Sequence, residues 1–169
     1  AEDSSCSSCE LQMNLDLLRQ INFFSTIPIE KLKIFAYLCT RKSYAPDEEI
    51  FSQGEDDGQA LLILRGQARL VREHEGRTME IRTYEEGEFL GGLSLLSPMR
   101  RLFTLQAATD LECLILTRGK FERVLAQMPE LTTRIFKVLV ERLRTWDEQM
   151  LTACADGRSA CQVGGISLI

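Results

Sequence analysis

The stretch at residues 87–107, GEFLGGLSLLSPMRRLFTLQA, decides the fold of this chain. It contains a pair of glycines, a short apolar run that ends near Pro98, and two arginines before an alternating segment. Gly91 and Gly92 have no Cβ, so their amides can come close to a ligand. Residues 93–96 have room for about one helical turn, which the proline stops.

The same stretch has the chemistry of a phosphate-binding loop without a Walker sequence. The first N–H groups of a helical turn have no partner within the turn, so they favour an anion. Arg101, or Arg100 if the loop shifts by one residue, then supplies guanidinium donors to a phosphate oxygen. The sequence predicts an anion site whose backbone or hydroxyl donors come from Gly91, Gly92, Leu93 and Ser94.

At these residues the sequence resembles the cyclic nucleotide-binding domain family. The phosphate-binding cassette of that family reads approximately Phe-Gly-Glu-Leu-Ala-Leu-Leu and, after a gap, Pro-Arg-Ser-Ala-Thr-Val. Residues 90–96 resemble the first half, and residues 101–105, which are Arg101, Leu102, Phe103, Thr104 and Leu105, resemble the second. The resemblance runs from about Phe23 to about Met150, and it implies that the ligand is cAMP, cGMP or a related phosphate compound.

Two cassette positions depart from the family pattern. Gly92 stands where the family has a glutamate that accepts a hydrogen bond from the ribose 2′-hydroxyl, and Leu102 replaces a small or hydroxyl residue. Phe103 is expected to share a strand face with Arg101 and to crowd the pocket. Loss of a charged acceptor costs about 1.5–3 kcal/mol of binding, or about ten- to a hundredfold in affinity. We therefore expect cAMP and cGMP to bind weakly or not at all.

The apolar pattern divides the chain into helical ends and a β-rich middle. Helical spacing predicts helices at 11–22, 29–41, 120–127 and 130–152, while 1–10 is serine-rich and predicted to be mobile. Short alternating segments with close turns predict a mainly β fold in between. The resemblance specifies this as a double-stranded jelly-roll β-barrel (β-roll), flanked by N-terminal helices and a long C-terminal helix.

Four regions follow from this pattern. We expect an N-terminal tail and helix at 1–22, a cyclic-nucleotide-binding-like β-roll at 23–129, a dimerisation or lid helix at 130–152 and a flexible tail at 153–169. Family transcription regulators pair through the long helix, so a homodimer through 130–152 is expected. A helix that only packs on the β-roll is the alternative.

The long helix also carries a candidate contact for a purine base. In many family members this helix, or an aromatic residue on it, closes over the base. Trp146 is the only tryptophan in the chain and has the right chemistry to stack on a base, with Arg142 and Thr145 near its edge. Core packing of Trp146 is an equal alternative.

Composition limits the partners. The chain has 169 residues and a net charge of −5, which argues against a broad nucleic-acid-binding surface. No apolar run is long enough to span a bilayer and no signal-peptide pattern is present, so we expect a cytoplasmic protein without membrane contact. Too few residues follow the long helix for a helix-turn-helix domain, so no direct nucleic acid binding is expected.

Catalytic and metal-binding patterns are missing from the sequence. There is no Ser/His/Asp set, no histidine cluster and no Walker motif, so an enzyme is not expected. Cys6 and Cys9 form a Cys-x-x-Cys pair, but two cysteines cannot complete a four-ligand site without Cys39 or Cys113. Cys39 and Cys113 are predicted to be buried core residues. We expect no metal site and no certain cofactor.

Three functions remain open at this point. The leading one is a regulatory domain that senses a cyclic nucleotide or another anion. The second is a dimerisation or protein-interaction scaffold of the same fold with an unused pocket. The third is a cysteine-based redox or iron–sulfur sensor, because fumarate–nitrate regulators share the fold and carry N-terminal cysteines. His74 and the acidic 54–58 loop are both interpreted as solvated turns.

Overall fold

Two four-stranded antiparallel sheets form the centre of the molecule in the computed structural model, which describes residues 3–155, with side chains from residue 9. Their strand orders are β1-β8-β3-β6 and β2-β7-β4-β5. The strands are β1 (Thr40–Tyr44), β2 (Glu49–Phe51), β3 (Gln59–Arg65), β4 (Ala68–His74), β5 (Arg77–Tyr84), β6 (Phe89–Leu90), β7 (Thr104–Ala107) and β8 (Leu111–Thr117). The predicted jelly roll is confirmed, but the two sheets do not close into a barrel.

Helices flank the sheets at both ends of the chain. They are α1 (Asp3–Gln20), α2 (Ile29–Leu38), α3 (Arg118–Gln127) and α4 (Glu130–Ala155), with short 3-10 turns at Asn22–Phe24 and Gly92–Leu95. Residues 3–10 are helical, so α1 begins eight residues before the predicted start at residue 11. Residues 156–169, which include most of the predicted C-terminal tail, lie outside the described residues.

Several predicted helix ends differ from the structure: α1 ends at Gln20 and α4 at Ala155, and α2 and α3 each differ at one end. Helix α2 ends at Leu38 because Cys39 is already extended and Thr40 begins β1. Helix α3 begins two residues before the predicted start, and Thr117 occupies the N-cap position without a side-chain capping hydrogen bond. The hydroxyl that favoured a cap in the sequence therefore does not cap the helix.

A cluster of phenylalanines joins the helices to the first sheet. Their ring centroids lie between 5.0 and 6.0 Å apart, and the rings belong to Phe23, Phe24, Phe35, Phe89 and Phe121. Burial of one such side chain contributes about 1.5–3 kcal/mol to folding. The cluster therefore fixes the helices against the strand that leads into residues 91–95.

A second apolar cluster fills the space between the sheets. Leu61 and Ile63 of β3 face Leu70 and Leu105 of the opposite sheet, and Cys113 is fully buried among them. The core prediction is confirmed for Cys113, while Cys39 is partly buried at the edge of the phenylalanine cluster. These contacts make the β-roll a rigid support for the loops at its ends.

Candidate functional site

The cassette turn, which we define as Gly92–Leu95, follows directly after β6. Gly91 introduces it in the left-handed conformation with φ of 79°, and the Ser94 amide donates to the Gly91 carbonyl at 3.0 Å. A Cβ on Gly91 would lie 2.6 Å from the Gln59 carbonyl oxygen and 2.9 Å from Nη1 of Arg101. Only glycine fits this position, both for its backbone conformation and for space.

Arg101 is one of the few charged residues buried in the molecule, with 6% of its surface exposed. Its Nε donates to Oδ1 of Asp57 at 2.7 Å and its Nη2 to Oδ2 of the same carboxylate at 3.1 Å. Nη2 also donates to the Gln59 carbonyl, and the guanidinium lies 4.0 Å from the ring centroid of Phe51. The two-point ion pair and the ring hold the guanidinium in one orientation.

The remaining nitrogen of Arg101 faces the cassette turn. Among the residues whose side chains are described, 9–155, Nη1 makes no hydrogen bond, whereas Nε and Nη2 do. Nη1 is also the atom next to Gly91. The amides of Gly92 and Leu93 open the 3-10 turn and have no partner within it. Guanidinium donors and helix-start amides are therefore adjacent.

The acidic loop at residues 54–58 holds Arg101 through its backbone as well. The Gly54 amide donates to the Arg101 carbonyl at 2.8 Å, and the Arg101 amide donates to the Glu55 carbonyl at 2.8 Å. The Asp57 side chain is only 12% exposed. The interpretation of this loop as a solvated turn holds for residues 54–56, which are exposed, but not for Asp57, whose carboxylate pairs with an arginine far away in sequence. His74, by contrast, is exposed as predicted.

The second aspartate of the loop bonds another arginine. Both oxygens of Asp56 accept from the guanidinium of Arg118, whose Nε donates to the Ser94 carbonyl at 2.6 Å. The hydrogen bond from Arg118 lowers the pKa of the Asp56 carboxyl, and the same contact raises the pKa of Arg118. Asp56, Asp57 and Arg118 were not predicted as site residues, because long-range pairing leaves no local sequence signal.

Gly92 occupies a crowded position rather than an open one. A Cβ there would lie 3.1 Å from the Phe89 ring and 3.2 Å from the Phe23 ring. A side chain at this position would need the phenylalanine cluster to shift. The packing around Gly92 therefore leaves little room for the glutamate that the family has at this position.

The other cassette residues lie around this centre in different environments. Arg100 and Leu102 are exposed, and the Thr104 hydroxyl accepts a hydrogen bond from the Gln53 amide at 2.9 Å. Strand β7 begins only at Thr104, so the strand alternation assumed for Phe103 is wrong. Phe103 lies instead under the guanidinium of Arg72, at 5.6 Å from the ring centroid. The ring beside Arg101 is Phe51.

The structure does not bring the predicted base-contacting residues to the cassette turn. Helix α4 packs against the 3-10 turn at Asn22–Phe24 and against α3. Arg142 and Thr145 line a groove with Ser25 and Thr26, and Trp146 is half-buried on the same helix. A base contact by Trp146 stays a prediction.

The described part of the chain has neither a metal-binding cluster nor a membrane-spanning helix. Residues 9–155, whose side chains are described, contain no group of three His, Cys, Asp or Glu side chains arranged to hold a metal ion. No helix within that range has the length and apolar character that crossing a bilayer requires.

Comparison with known proteins identifies the family. The family model described as cyclic nucleotide-binding domain matches residues 41–128, slightly more than half of the chain. The chain therefore belongs to the cyclic nucleotide-binding domain family, so the predicted membership of this family is confirmed.

Individual relatives extend this result. The structure of the N-terminal domain of a transcriptional regulator from Streptomyces coelicolor superposes with a TM-score of 0.71 at 24% identity, covering 79% of this chain and 93% of that one. The Thermus thermophilus catabolite activator protein gives a TM-score of 0.63 at 25% identity, covering 79% of this chain and 63% of that one.

An enzyme is also among the relatives. The lysophospholipase nte1 of Neosartorya fischeri is 30% identical over 118 residues, which are 69% of this chain but 8% of that enzyme. The chain thus spans less than a tenth of that relative, and the match concerns a small region of it.

Proposed function

We propose that this chain is a regulatory domain that binds a cyclic nucleotide, cAMP or cGMP, or a related phosphate anion at Arg101 and the cassette turn. The observation that carries the proposal is the placement of Nη1 of Arg101 directly beside Gly91, with no hydrogen bond from Nη1 to any of residues 9–155. The supporting comparison is membership in the cyclic nucleotide-binding domain family.

The ion pair with Asp57 prepares Arg101 for this role. Three of the five N–H donors of the guanidinium are used by Asp57 and the Gln59 carbonyl, which leaves the Nη1 pair for a ligand. The Arg101 side chain is already fixed, so it loses little conformational entropy when a ligand binds. More of the free energy of each hydrogen bond to the ligand therefore contributes to the affinity. Asp57 also leaves the site close to electrically neutral, which weakens its attraction for an anion.

The ligand is expected to bind weakly because of Gly92. A family glutamate would supply a charged acceptor to the ribose, and its absence costs about 1.5–3 kcal/mol, or about ten- to a hundredfold in affinity. Binding would then rest on the phosphate contacts at Arg101 and on the amides of the cassette turn.

Calorimetric titration of the whole chain with cAMP and with cGMP tests the proposal. Arg101→Gln should lower the affinity for either ligand by about ten- to a hundredfold, since a charge-assisted bond contributes about 1.5–3 kcal/mol. Arg100→Gln is the matched control, because Arg100 is exposed and lies next in sequence. Equal effects of the two substitutions, or no binding by the unmodified chain, would place the function elsewhere.

The second function that the structure favours is dimerisation through α4. Phe136, Val140 and Leu143 are all exposed, at 64%, 45% and 51%, and follow one another at intervals of four and three residues. That spacing puts them on one face of the helix, as in a coiled-coil seam. The opposite face carries Ile135 and Val138, which pack into the molecule. A second copy of the chain is the occupant we propose for the exposed stripe.

A chain can both bind an anion at Arg101 and dimerise through α4, so the two proposed functions do not exclude each other. If the pocket is unused, the chain is a dimerisation or protein-interaction scaffold of the same fold. The redox or iron–sulfur alternative has no support among the described residues, where Cys9 and Cys154 are exposed single thiols. The side chain of Cys6 lies outside the described part.

A further inference from the structure

Arg118 occupies a junction between three elements. It is the first residue of α3, its Nε donates to the Ser94 carbonyl of the cassette turn at 2.6 Å, and its guanidinium pairs with Asp56 of the 54–58 loop. The Arg118 side chain is 17% exposed and that of Asp56 is 32% exposed, so the pair lies at the edge of the molecule. Helix α3 in turn packs against the cassette turn and α4.

The 54–58 loop connects this junction to Arg101. Asp56 bonds Arg118, and the next residue, Asp57, bonds Arg101. The Arg118 amide donates to the Gly58 carbonyl at 2.7 Å, so the loop also holds the first turn of α3 through the backbone. This short loop therefore bonds both arginines through adjacent residues. A displacement of the Asp57 carboxylate should also displace Asp56.

We propose that Arg118 is a positioning residue that couples the cassette turn and Arg101 to helix α3; this rests on the proposed anion site. An anion on Nη1 of Arg101 adds negative charge close to Asp57 and repels it. The 54–58 loop then moves the Asp56 carboxylate, and the cassette turn moves the Ser94 carbonyl. Arg118 receives both displacements through one rigid guanidinium and moves the start of α3.

The planar fork of arginine is necessary for this role. Its Nε and its two Nη groups point in different directions, so one side chain bonds a carbonyl on one element and a carboxylate on another at the same time. Gly58 packs against the guanidinium, where a Cβ would lie 3.3 Å from Cζ. The loop therefore contacts the Arg118 side chain by close packing as well as by the ion pair with Asp56.

Hydrogen exchange of the ligand-free full chain provides the first test. Arg101→Lys keeps the charge but removes the fork to Asp57, and it should raise the exchange rate of the first hydrogen-bonded α3 amides, residues 121–124, by at least about fivefold. The same substitution in an Arg118→Ala background should leave those rates within about twofold of Arg118→Ala alone. Equal fold-changes in the two backgrounds would overturn the coupling.

Two further variants keep this test decisive. Arg123→Ala removes an exposed arginine of the same helix and should preserve the full effect of Arg101→Lys. If Arg101→Lys fails to fold, Asp57→Asn perturbs the same ion pair with a nearly isosteric side chain and is used instead. An effect of either substitution that survives in Arg118→Ala would again overturn the coupling.

A second arm with cAMP separates this inference from the proposed function. Saturating cAMP should slow exchange in both the cassette turn and residues 121–124 of the unmodified chain. In Arg118→Ala it should still slow exchange in the turn but no longer at α3. Failure of cAMP to bind counts against the proposed ligand, while the ligand-free comparison decides the coupling by itself.

Discussion

Gly91 and Arg101 are in contact through space although ten residues separate them in sequence: a Cβ on Gly91 would lie 2.9 Å from Nη1 and 3.1 Å from Nη2 of the arginine. The contact brings the guanidinium to the start of the cassette turn. It also means that the glycine and the arginine depend on one another for their positions.

Substitution of Gly91 tests this dependence. Gly91→Ala combines a left-handed backbone, which costs about 1–3 kcal/mol, with a clash against Arg101 and the Gln59 carbonyl. Gly87→Ala is the matched control, since Gly87 has a similar φ of 86° but no atom within 4 Å of its added Cβ. Urea denaturation should show a clearly larger loss for Gly91→Ala. Equal losses would mean that Arg101 yields without cost.

The missing glutamate cannot be restored by one substitution. Gly92→Glu pushes against the Phe23 and Phe89 rings and should destabilise the fold by about 1–3 kcal/mol without raising the affinity for cAMP or cGMP. In the double variant, Phe23→Leu makes space for the side chain of Gly92→Glu. The double variant should bind cAMP or cGMP more tightly than Phe23→Leu alone. A large gain from Gly92→Glu by itself, measured by calorimetry, would contradict this account of the packing.

The phosphate-binding chemistry was predictable from sequence because it is local. Glycines, a helix start and an arginine follow one another within the stretch at residues 87–107, and the structure brings Gly91 and Arg101 together. Asp57 was not predictable as the partner of Arg101, since 44 residues separate them and nothing in an acidic turn distinguishes a buried carboxylate from a solvated one.

Other errors have the same physical origin. Residues 3–10 are rich in serine, whose intrinsic helix propensity is modest, yet they continue α1. Strand β6 has two residues and is too short for a period to be read from it. Phe103 was placed by strand alternation before a strand that starts at Thr104. For β6 and Phe103 the outcome depends on strand pairing and packing with residues far away in sequence.

Dimerisation through α4 predicts a concentration-dependent mass. Leu143→Glu puts a charge in the middle of the exposed stripe, and it should convert a dimer to a monomer in light scattering. Tyr37→Glu, at an exposed apolar residue of α2, is the control and should leave the dimer intact. A monomer from the unmodified chain at high concentration would remove this second function.

Cys154 offers an independent reporter for the same helix pairing. It is exposed and lies eighteen residues after Phe136, or about five turns, on the same face of α4. In a parallel pair of α4 helices the two Cys154 thiols face each other, so copper phenanthroline should oxidise them to an intermolecular disulfide. Crosslinking should disappear in Cys154→Ala and decrease strongly in Leu143→Glu.

Alkaline pH should destabilise the fold through its buried thiols. Burial raises the pKa of Cys39 and of Cys113 from 9.0 to about 12. The unfolded chain loses these protons first as the pH rises. The stability that the two protonated thiols contribute is therefore complete below pH 9 and is lost as the pH rises towards 12. At about pH 10 the loss is about 1.4 kcal/mol for each thiol. Cys113→Ala should reduce the slope of unfolding free energy against pH under reducing conditions, whereas Cys9→Ala, at an exposed thiol, should not.

The most direct measurement follows the Arg101 side chain itself during a cAMP titration by nitrogen-15 NMR of the full chain. The Nη resonances of Arg101 and the amides of Gly92 and Leu93 should shift together and saturate at one ligand concentration, with Arg100 unchanged. Saturable binding that shifts other residues while these three stay constant, or no shift at millimolar cAMP, would contradict the proposed anion site.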